Sequence, residues 1–306
     1  MIVVCGEALI DMIHKGDGSR RAAPGGGPFN TARALARLGV PTAFLGHLSQ
    51  DPFGRELAGL LTTEGASLQL ATTGPEPTTI AVAHVDSAGL AEYEFQVQGT
   101  SAPNLTLEMI PEQLPPEVNA IHLGTLGLVL EPIASSLREL VRREHSRRLV
   151  MLDPNIRLGL APEGEYRARL YEVASESTIV KASDADLAWL YPGLDYEQAA
   201  GRILDQGVSL VVVTLGAGGA FGAHRGATLR VAAPRVDVVD TIGSGDAFGA
   251  ALLAWLHDHH AIRPDLCLEP AELQAALEYA CLAAAITCTR TGADPPWKRE
   301  MLARQP

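Results

Sequence analysis

Basic residues are the scarce class in this 306-residue chain: 24 Lys and Arg stand against 36 Asp and Glu, a formal net charge of −12. That balance argues against general attraction to nucleic acid or to an anionic membrane, although a pocket of backbone N–H groups can gather a phosphate even on an acidic protein. Long hydrophobic runs are missing as well. The N-terminal "MIVVCGEALIDMIH" is interrupted by Glu7 and Asp11, with no basic leader and no small-residue cleavage site. It therefore reads as a first strand, and the protein as cytoplasmic. The apolar stretch from Ala247 to Leu256 meets His257 and Asp258 before reaching membrane-spanning length. Cys5, Cys267, Cys281 and Cys288 form no C-x-x-C pair and have no paired spacing with histidines. Neither a disulfide framework nor a zinc site is suggested, and reduced, mostly buried thiols are expected. A P-loop, with Lys and Ser/Thr after its last glycine, is absent, as are long internal repeats and low-complexity linkers.

What is present is 47% hydrophobic content, enough for one large α/β domain. Short apolar runs ("MIVVCGEALI", "TAFLGHLS", "AIHLGTL", "RLVMLDPN", "STIVKAS", "SLVVVTLG") alternate with segments of helical spacing ("NTARALARLG", "GRELAGLLTTEG", "PIASSLRELVRREHS", "EGEYRARLYEVASES", "DYEQAAGRILDQG"). This rhythm predicts βαβ units and a parallel sheet covered by helices, with ligands at the carboxyl ends of the strands. Residues about 11–23 and 74–104 break it. There "TTIAVAHV", the turn "DSAG" and "LAEYEFQV" predict a small accessory sheet with one face to bury, over a site mouth or a second subunit.

"VDTIGSGDAFGAAL", residues 239–252, follows a β-rich region, "TLRVAAPRVDVVD", and opens an amphipathic helix, "AFGAALLAWLHD". Gly243 and Gly245, with Ser244 between them, let successive N–H groups aim at one point, and the helix adds its positive end. Asp246 beside such an anion hole has a use: it accepts the proton of an attacking hydroxyl while the N–H groups stabilise a phosphoryl group in transit. Alone, the stretch also reads as a capped helix after a turn.

"VVVTLGAGGAFG" sets Thr214, Gly216, Gly218 and Gly219 after a strand, where backbone can approach a nucleotide; the spacing matches the dinucleotide fingerprint poorly. "APGGGPFNTARALARLG" puts Gly25, Gly26 and Gly27 before Asn30, whose amide offers a donor and an acceptor to hydroxyls. Asp11, closing the first strand, suits a polyol or is simply solvated. "LDPNIR" supplies Asp153, Asn155 and Arg157, the last able to meet a phosphate or an acidic group. "VKASDAD" supplies Lys181, Ser183, Asp184 and Asp186, which suit the surroundings of a phosphate-bound magnesium; a solvated helix start explains Asp184 equally well. "HDHH", 257–260, has no partner cluster and reads as exposed surface.

Two long signatures in order, "GGGPFNTARALARLG" and "DTIGSGDAF", with "GEALID", "DPNIR", "KASDAD", "VVTLGAGGA" and "TRTGADPPW", resemble the ribokinase (phosphofructokinase-B) family of sugar kinases along nearly the whole chain. The resemblance implies a ribokinase-like three-layer α/β sandwich with a mostly parallel central sheet, a single domain over 1–306. The segments about 11–23 and 74–104 would form a β-sheet lid that also makes a homodimer interface. The implied activity is transfer of the γ-phosphoryl group of ATP, with Mg²⁺, to a primary hydroxyl of a small sugar. Asp246 is then the base and the Gly243–Asp246 backbone the anion hole. Asp11, Gly26, Gly27 and Asn30 fall on sugar-contacting positions, with Asn155 and Arg157 beside them. Thr214, Gly216 and Gly219 fall on the nucleotide loop, with Lys181 and Ser183 on the cofactor side.

Asp186 falls on an acidic position tied to magnesium through water, where the family usually has Glu in N-x-x-E and this chain has Ser183-x-x-Asp186. Asp240, Ile242, Thr287, Arg290 and Gly292 match a main-chain site for a monovalent cation such as K⁺, with Pro296 replacing a frequent serine. Within the family, "GGGPFN", "DPNIR" and "KASDAD" look most like bacterial fructokinases; ketodeoxygluconate, ribose and nucleoside kinases are the alternatives. Tyr93 and Phe95, at i and i+2 of a lid strand, share a face near the sugar mouth or pack within a lid interface. From other classes, a nicotinamide-dependent oxidoreductase using "LGAGGA" leaves "DTIGSGDAF" unexplained, and intact Asp246 and glycines disfavour a non-catalytic sugar sensor.

Overall fold

The computed structural model describes residues 1–14, 20–85, 91–225 and 227–304. In chain order the elements are β1 (Ile2–Cys5), β2 (Leu9–His14), β3 (Arg20–Gly25), α1 (Gly27–Arg37), β4 (Thr42–Leu45), β5 (His47–Ser49), α2 (Pro52–Thr63), β6 (Thr72–Gly74), β7 (Ile80–Val85), β8 (Ala91–Gln96), β9 (Ala120–Gly124) and α3 (Ile133–Glu144). There follow β10 (Leu149–Asp153), α4 (Glu163–Ser175), β11 (Ile179–Ser183), α5 (Asp184–Leu190), α6 (Tyr196–Leu204), β12 (Leu210–Thr214), β13 (Ala220–His224), β14 (Ala227–Val231), α7 (Ser244–Asp258), α8 (Pro270–Cys288) and α9 (Lys298–Leu302).

Eight strands form one sheet in the order β14-β13-β12-β11-β10-β9-β1-β4, parallel from β4 to β12 and antiparallel at the β13–β14 edge. Strands such as β1, β4, β9 and β10 are buried on both faces, as their continuous apolar runs require. Ile2 and Val4 pack among α1, α7 and α8 on one face, while Val3 and Cys5 pack with α3, α4 and α6 on the other. The expected helix–sheet–helix layering follows from this alternation.

Several local expectations need correction. "MIVVCGEALI" is not one strand: the chain breaks at Gly6, where φ is +142° and a Cβ would lie 2.5 Å from the Pro28 ring. β1 stays in the large sheet, whereas β2 leaves for a four-stranded sheet ordered β3-β2-β7-β8. Asp11 accordingly does not close the first strand; it sits inside β2, opposite Ala23 and Ala81. "TAFLGHLS" divides likewise into β4 and β5. In the accessory segments, β6 pairs with β5, so the second contribution to the small sheet starts at Ile80 rather than near residue 74. The turn "DSAG" and residues 15–19 lie outside the described residues.

"TLRVAAPRVDVVD" is strand only to Val231. Beyond it Pro234 offers no donor to a ladder, and Val238 and Val239 stand 62% and 61% exposed. α7 is not amphipathic: every residue from Asp246 to Leu256 is buried, because α1 and α8 both pack on it. Among the described residues no helix is long and apolar enough to cross a membrane.

Candidate active site

The carboxyl ends of β1, β9, β10 and β11 and the start of α7 converge below the small sheet. They enclose a cavity of about 230 Å³ lined by Glu7, Asp11, Gly26, Gly27, Asn30, Phe95, Thr125, Asn155, Arg157, Lys181, Gly243, Gly245 and Asp246 among others. A second cavity of about 600 Å³ lies across the 243–245 turn and is mainly apolar. Its walls are Thr214, Gly216, Ala217 and Gly219 after β12, the 233–238 segment, Phe248 on α7, and Cys281, Ala284, Ala285 and Cys288 on α8. Thr241 and Gly245 line both cavities.

The junction is built by backbone. Gly243 has φ +75° just ahead of α7, and a Cβ there would sit 2.5 Å from the Ala293 Cβ, so both conformation and space require glycine. Ser244 belongs to the wall of the apolar cavity and donates both its hydroxyl, at 2.8 Å, and its N–H, at 3.2 Å, to the Thr241 carbonyl, which closes the turn ahead of α7.

Asp246 follows in the first helical turn, buried, with Oδ2 accepting from the Asn30 Nδ2 amide at 2.9 Å. Burial pushes its carboxyl up to about 6, against the pull of the Asn30 hydrogen bond. Asn30 thus commits an amide N–H to Asp246, which the sequence did not reveal, and its buried Oδ1 has no partner among the described residues. Gly27 keeps the floor open: a Cβ there would come 2.6 Å from Thr125 Oγ1, 3.2 Å from Asn155 Nδ2 and 3.4 Å from Asp246 Oδ1. Asp11 is pushed up to about 6 by burial, against the nearby Arg157 guanidinium. Arg157 donates Nη1 to the carbonyls of Asn155 and Ile156, which holds the guanidinium at the cavity edge.

Lys181 lies on the polar side, not with the apolar cavity. Its buried ammonium donates to Asp153 Oδ2 at 2.6 Å and lies 3.2 Å from where a Gly245 Cβ would be. Burial pulls the Lys181 pKa down, but the Asp153 carboxylate outweighs it and holds the ammonium charged. Ser183 and Asp186 line neither cavity. They form a reciprocal cap on α5, with Asp186 Oδ2 accepting from the Ser183 N–H and hydroxyl and Oδ1 from the Ile156 N–H. Three donors on one carboxylate leave it little capacity for a direct metal bond. Asp240 ties two loops together, Oδ1 accepting from Ile242 N–H and Oδ2 from Gly292 N–H. Thr287 is buried at the end of α8, its carbonyl accepting from Arg290 N–H at 3.1 Å.

Of the remaining expectations, Asp184 is exposed at the start of α5 and the "HDHH" stretch lies at the surface. Cys5 and Cys281 are buried, Cys267 and Cys288 half-buried, and all four are free. Phe95 reaches the polar cavity; the Tyr93 side chain lies outside the described residues. Sequence reasoning missed Glu7, Thr125 and the apolar wall of α8. Glu7 looked like a mere interruption of an apolar run, and only its place just past a strand end could have flagged it.

Residues 1–300 match the pfkB family carbohydrate kinase model. A fructokinase of Rhizobium leguminosarum bv. trifolii is 39% identical over 261 residues, covering 84% of this chain and 79% of that one. The crystal structure of a Xylella fastidiosa fructokinase with bound ATP superposes with TM-score 0.91 at 27% identity over 99% of this chain and 97% of that one. A double mutant of the Vibrio cholerae O395 fructokinase, holding fructose, ADP and a potassium ion, does so with TM-score 0.86 at 28% identity over 99% and 97%. The ribokinase-like α/β fold is shared with these structures, and the chain belongs to the pfkB family of carbohydrate kinases.

Proposed function

We propose that this carbohydrate kinase is an ATP-dependent fructokinase that phosphorylates a primary hydroxyl of D-fructose, as the names of its relatives suggest. The observation that carries the reading is a buried carboxylate, Asp246, at the single turn where a polar cavity of monosaccharide size meets an apolar cleft more than twice as large. Fructose occupies the polar cavity, within reach of Asp11, Asn30, Asn155 and Arg157. The adenosine of ATP lies in the apolar cleft along Thr214, Gly216 and Gly219, so that the γ-phosphoryl group meets the N–H groups of Gly243 to Asp246.

Asp246 takes the proton of the attacking sugar hydroxyl while the hydroxyl oxygen bonds to the γ-phosphorus and the bond from the γ-phosphorus to the β-phosphate oxygen breaks. ADP leaves with the electron pair, and Asp246 then returns its proton to solvent. Lys181 and the helix end stabilise the equatorial charge. Mg²⁺ would be held chiefly by the nucleotide phosphates, with Asp186 reaching it only through water, which suits a carboxylate already accepting three hydrogen bonds. When bound, it neutralises phosphate charge.

The Asp240-tied loops, with carbonyls at Asp240, Ile242, Thr287, Arg290 and Gly292, suit a potassium ion beside the anion hole. The small sheet acts as a lid on one 1–306 unit, excludes water and supplies a homodimer interface. We place the enzyme in the cytoplasm, where ATP and reduced thiols coexist. A coupled ADP-release assay with MgATP and K⁺ across fructose, ribose, ketodeoxygluconate and adenosine tests the reading. Fructose should give the highest kcat/KM; inactivity with every acceptor would overturn it.

A further inference from the structure

Glu7 is the most deeply buried carboxyl of the polar cavity, 1% exposed, and no step of the proposed chemistry uses it. Its Oε2 accepts the Gly127 N–H at 3.2 Å, with the Leu126 N–H also directed at the carboxyl, while Oε1 has no hydrogen-bond partner among the described residues. Those N–H groups belong to a 3-10 turn, Thr125–Leu128, that follows β9. The turn opens on strain: Thr125 has φ +54°, a conformation a β-branched residue rarely adopts. Asn155, past the neighbouring β10, has φ +37° and donates Nδ2 to Thr125 Oγ1 at 3.2 Å. Two of the four non-glycine residues with positive φ among those described therefore face each other across one cavity.

Resting on the fructokinase reading above, we propose that Glu7 is a positioning residue: its carboxyl occupies the N–H nest of the 125–128 turn and thereby holds the Thr125 hydroxyl and the Asn155 amide in register for the hydroxyls of the bound sugar. Without the carboxyl, the turn N–H groups would be buried and unpaired and the turn would relax toward negative φ at Thr125, moving its hydroxyl away from Asn155. The nucleotide side, across the 243–245 turn, would be untouched.

The experiment compares the wild type with E7A, E7Q and T125V, with fructose and ATP each varied at saturating levels of the other. E7A should raise the fructose KM by about tenfold or more, the cost of a buried unpaired donor, with the ATP KM within about twofold. E7Q, which keeps an acceptor for the turn, should recover most of that loss. T125V, which keeps the branched shape but not the hydroxyl, should show the same selective rise whether or not E7A folds. A wild type active on fructose with E7A or T125V at wild-type fructose KM, or with fructose and ATP KM rising together, overturns the inference alone. A wild type inactive on fructose overturns the fructokinase reading and the inference with it.

Discussion

The two cavities that meet at Gly245 are chemical opposites. One is small and lined mostly by carboxyls, amides, cations and glycines; the other is large and lined mostly by alanine, valine, cysteine and glycine, with Phe248 and the polar Thr214, Arg235, Thr241 and Ser244 among them. A sugar offers directional hydroxyls and little apolar surface, so it must be recognised by buried polar groups held in place by one another. A purine offers a flat apolar face, so a smooth groove with exposed backbone suffices. The difference teaches where precision is located. On the polar side each group is braced, Asn30 on Asp246, Lys181 on Asp153, Asn155 on Thr125. On the apolar side no comparable brace is needed.

The comparison breaks hardest at Asp246. Asp246→Asn keeps the shape and the acceptor for Asn30 but cannot take the proton. We expect kcat to fall by about 10²- to 10⁴-fold, read by ADP release, with fructose affinity by calorimetry little changed. Loss of sugar binding in parallel would make Asp246 a binding group instead.

Next in size is the Lys181–Asp153 ion pair beside the 243–245 turn, whose side chains are 6% and 4% exposed. Lys181→Met leaves Asp153 buried and unpaired, costing about 3–5 kcal/mol in chemical denaturation. Adding Asp153→Leu should restore most of that stability but not turnover. Recovery of both would mean that the ammonium serves folding alone.

The pH dependence sharpens the same contrast. In the proposed mechanism Asp246 acts as the carboxylate, and burial raises its pKa to about 6, so kcat/KM for the sugar should be level above that pH and fall about tenfold per unit below it. The same shift acts against stability: the folded carboxyl holds its proton to higher pH than the unfolded one, so its ionisation costs stability as pH rises from about 4 to about 6. A profile flat to pH 5 would contradict the assignment.

Smallest is the apolar side. Ala284→Phe should narrow the cleft and raise the ATP KM by about tenfold or less, while the fructose KM stays put. A matched rise for fructose would mean that the cavities are not independent.

Legibility in the sequence divides along the same line. Parallel strands buried on both faces read as continuous apolar runs, and β1, β4 and β9 to β12 were found that way. Gly243, Gly245 and Asp246 were legible because nothing but a tight turn explains two glycines before a helix-opening acid. The breaks at Gly6 and at Gly46, between β4 and β5, were not, since the apolar pattern runs straight through them and the close approach, where a Gly46 Cβ would meet the Gly6 carbonyl oxygen, exists only in three dimensions. Asn30 was read as a ligand group but not as the hydrogen-bond partner of Asp246, a contact spanning 216 residues. The α8 wall was invisible because Ala284, Ala285 and Cys288 carry no pattern that separates a cleft from a core. Thr125 was hidden for a conformational reason: no residue type announces a positive φ except glycine.

One reaction mixture decides whether the two cavities work as a pair. With wild-type enzyme, MgATP and fructose, ³¹P nuclear magnetic resonance should show one phosphate ester on a primary carbon of fructose for each ADP formed, with no inorganic phosphate in excess. ADP appearing with free phosphate at the same rate with and without fructose, or no ester at all, would contradict it.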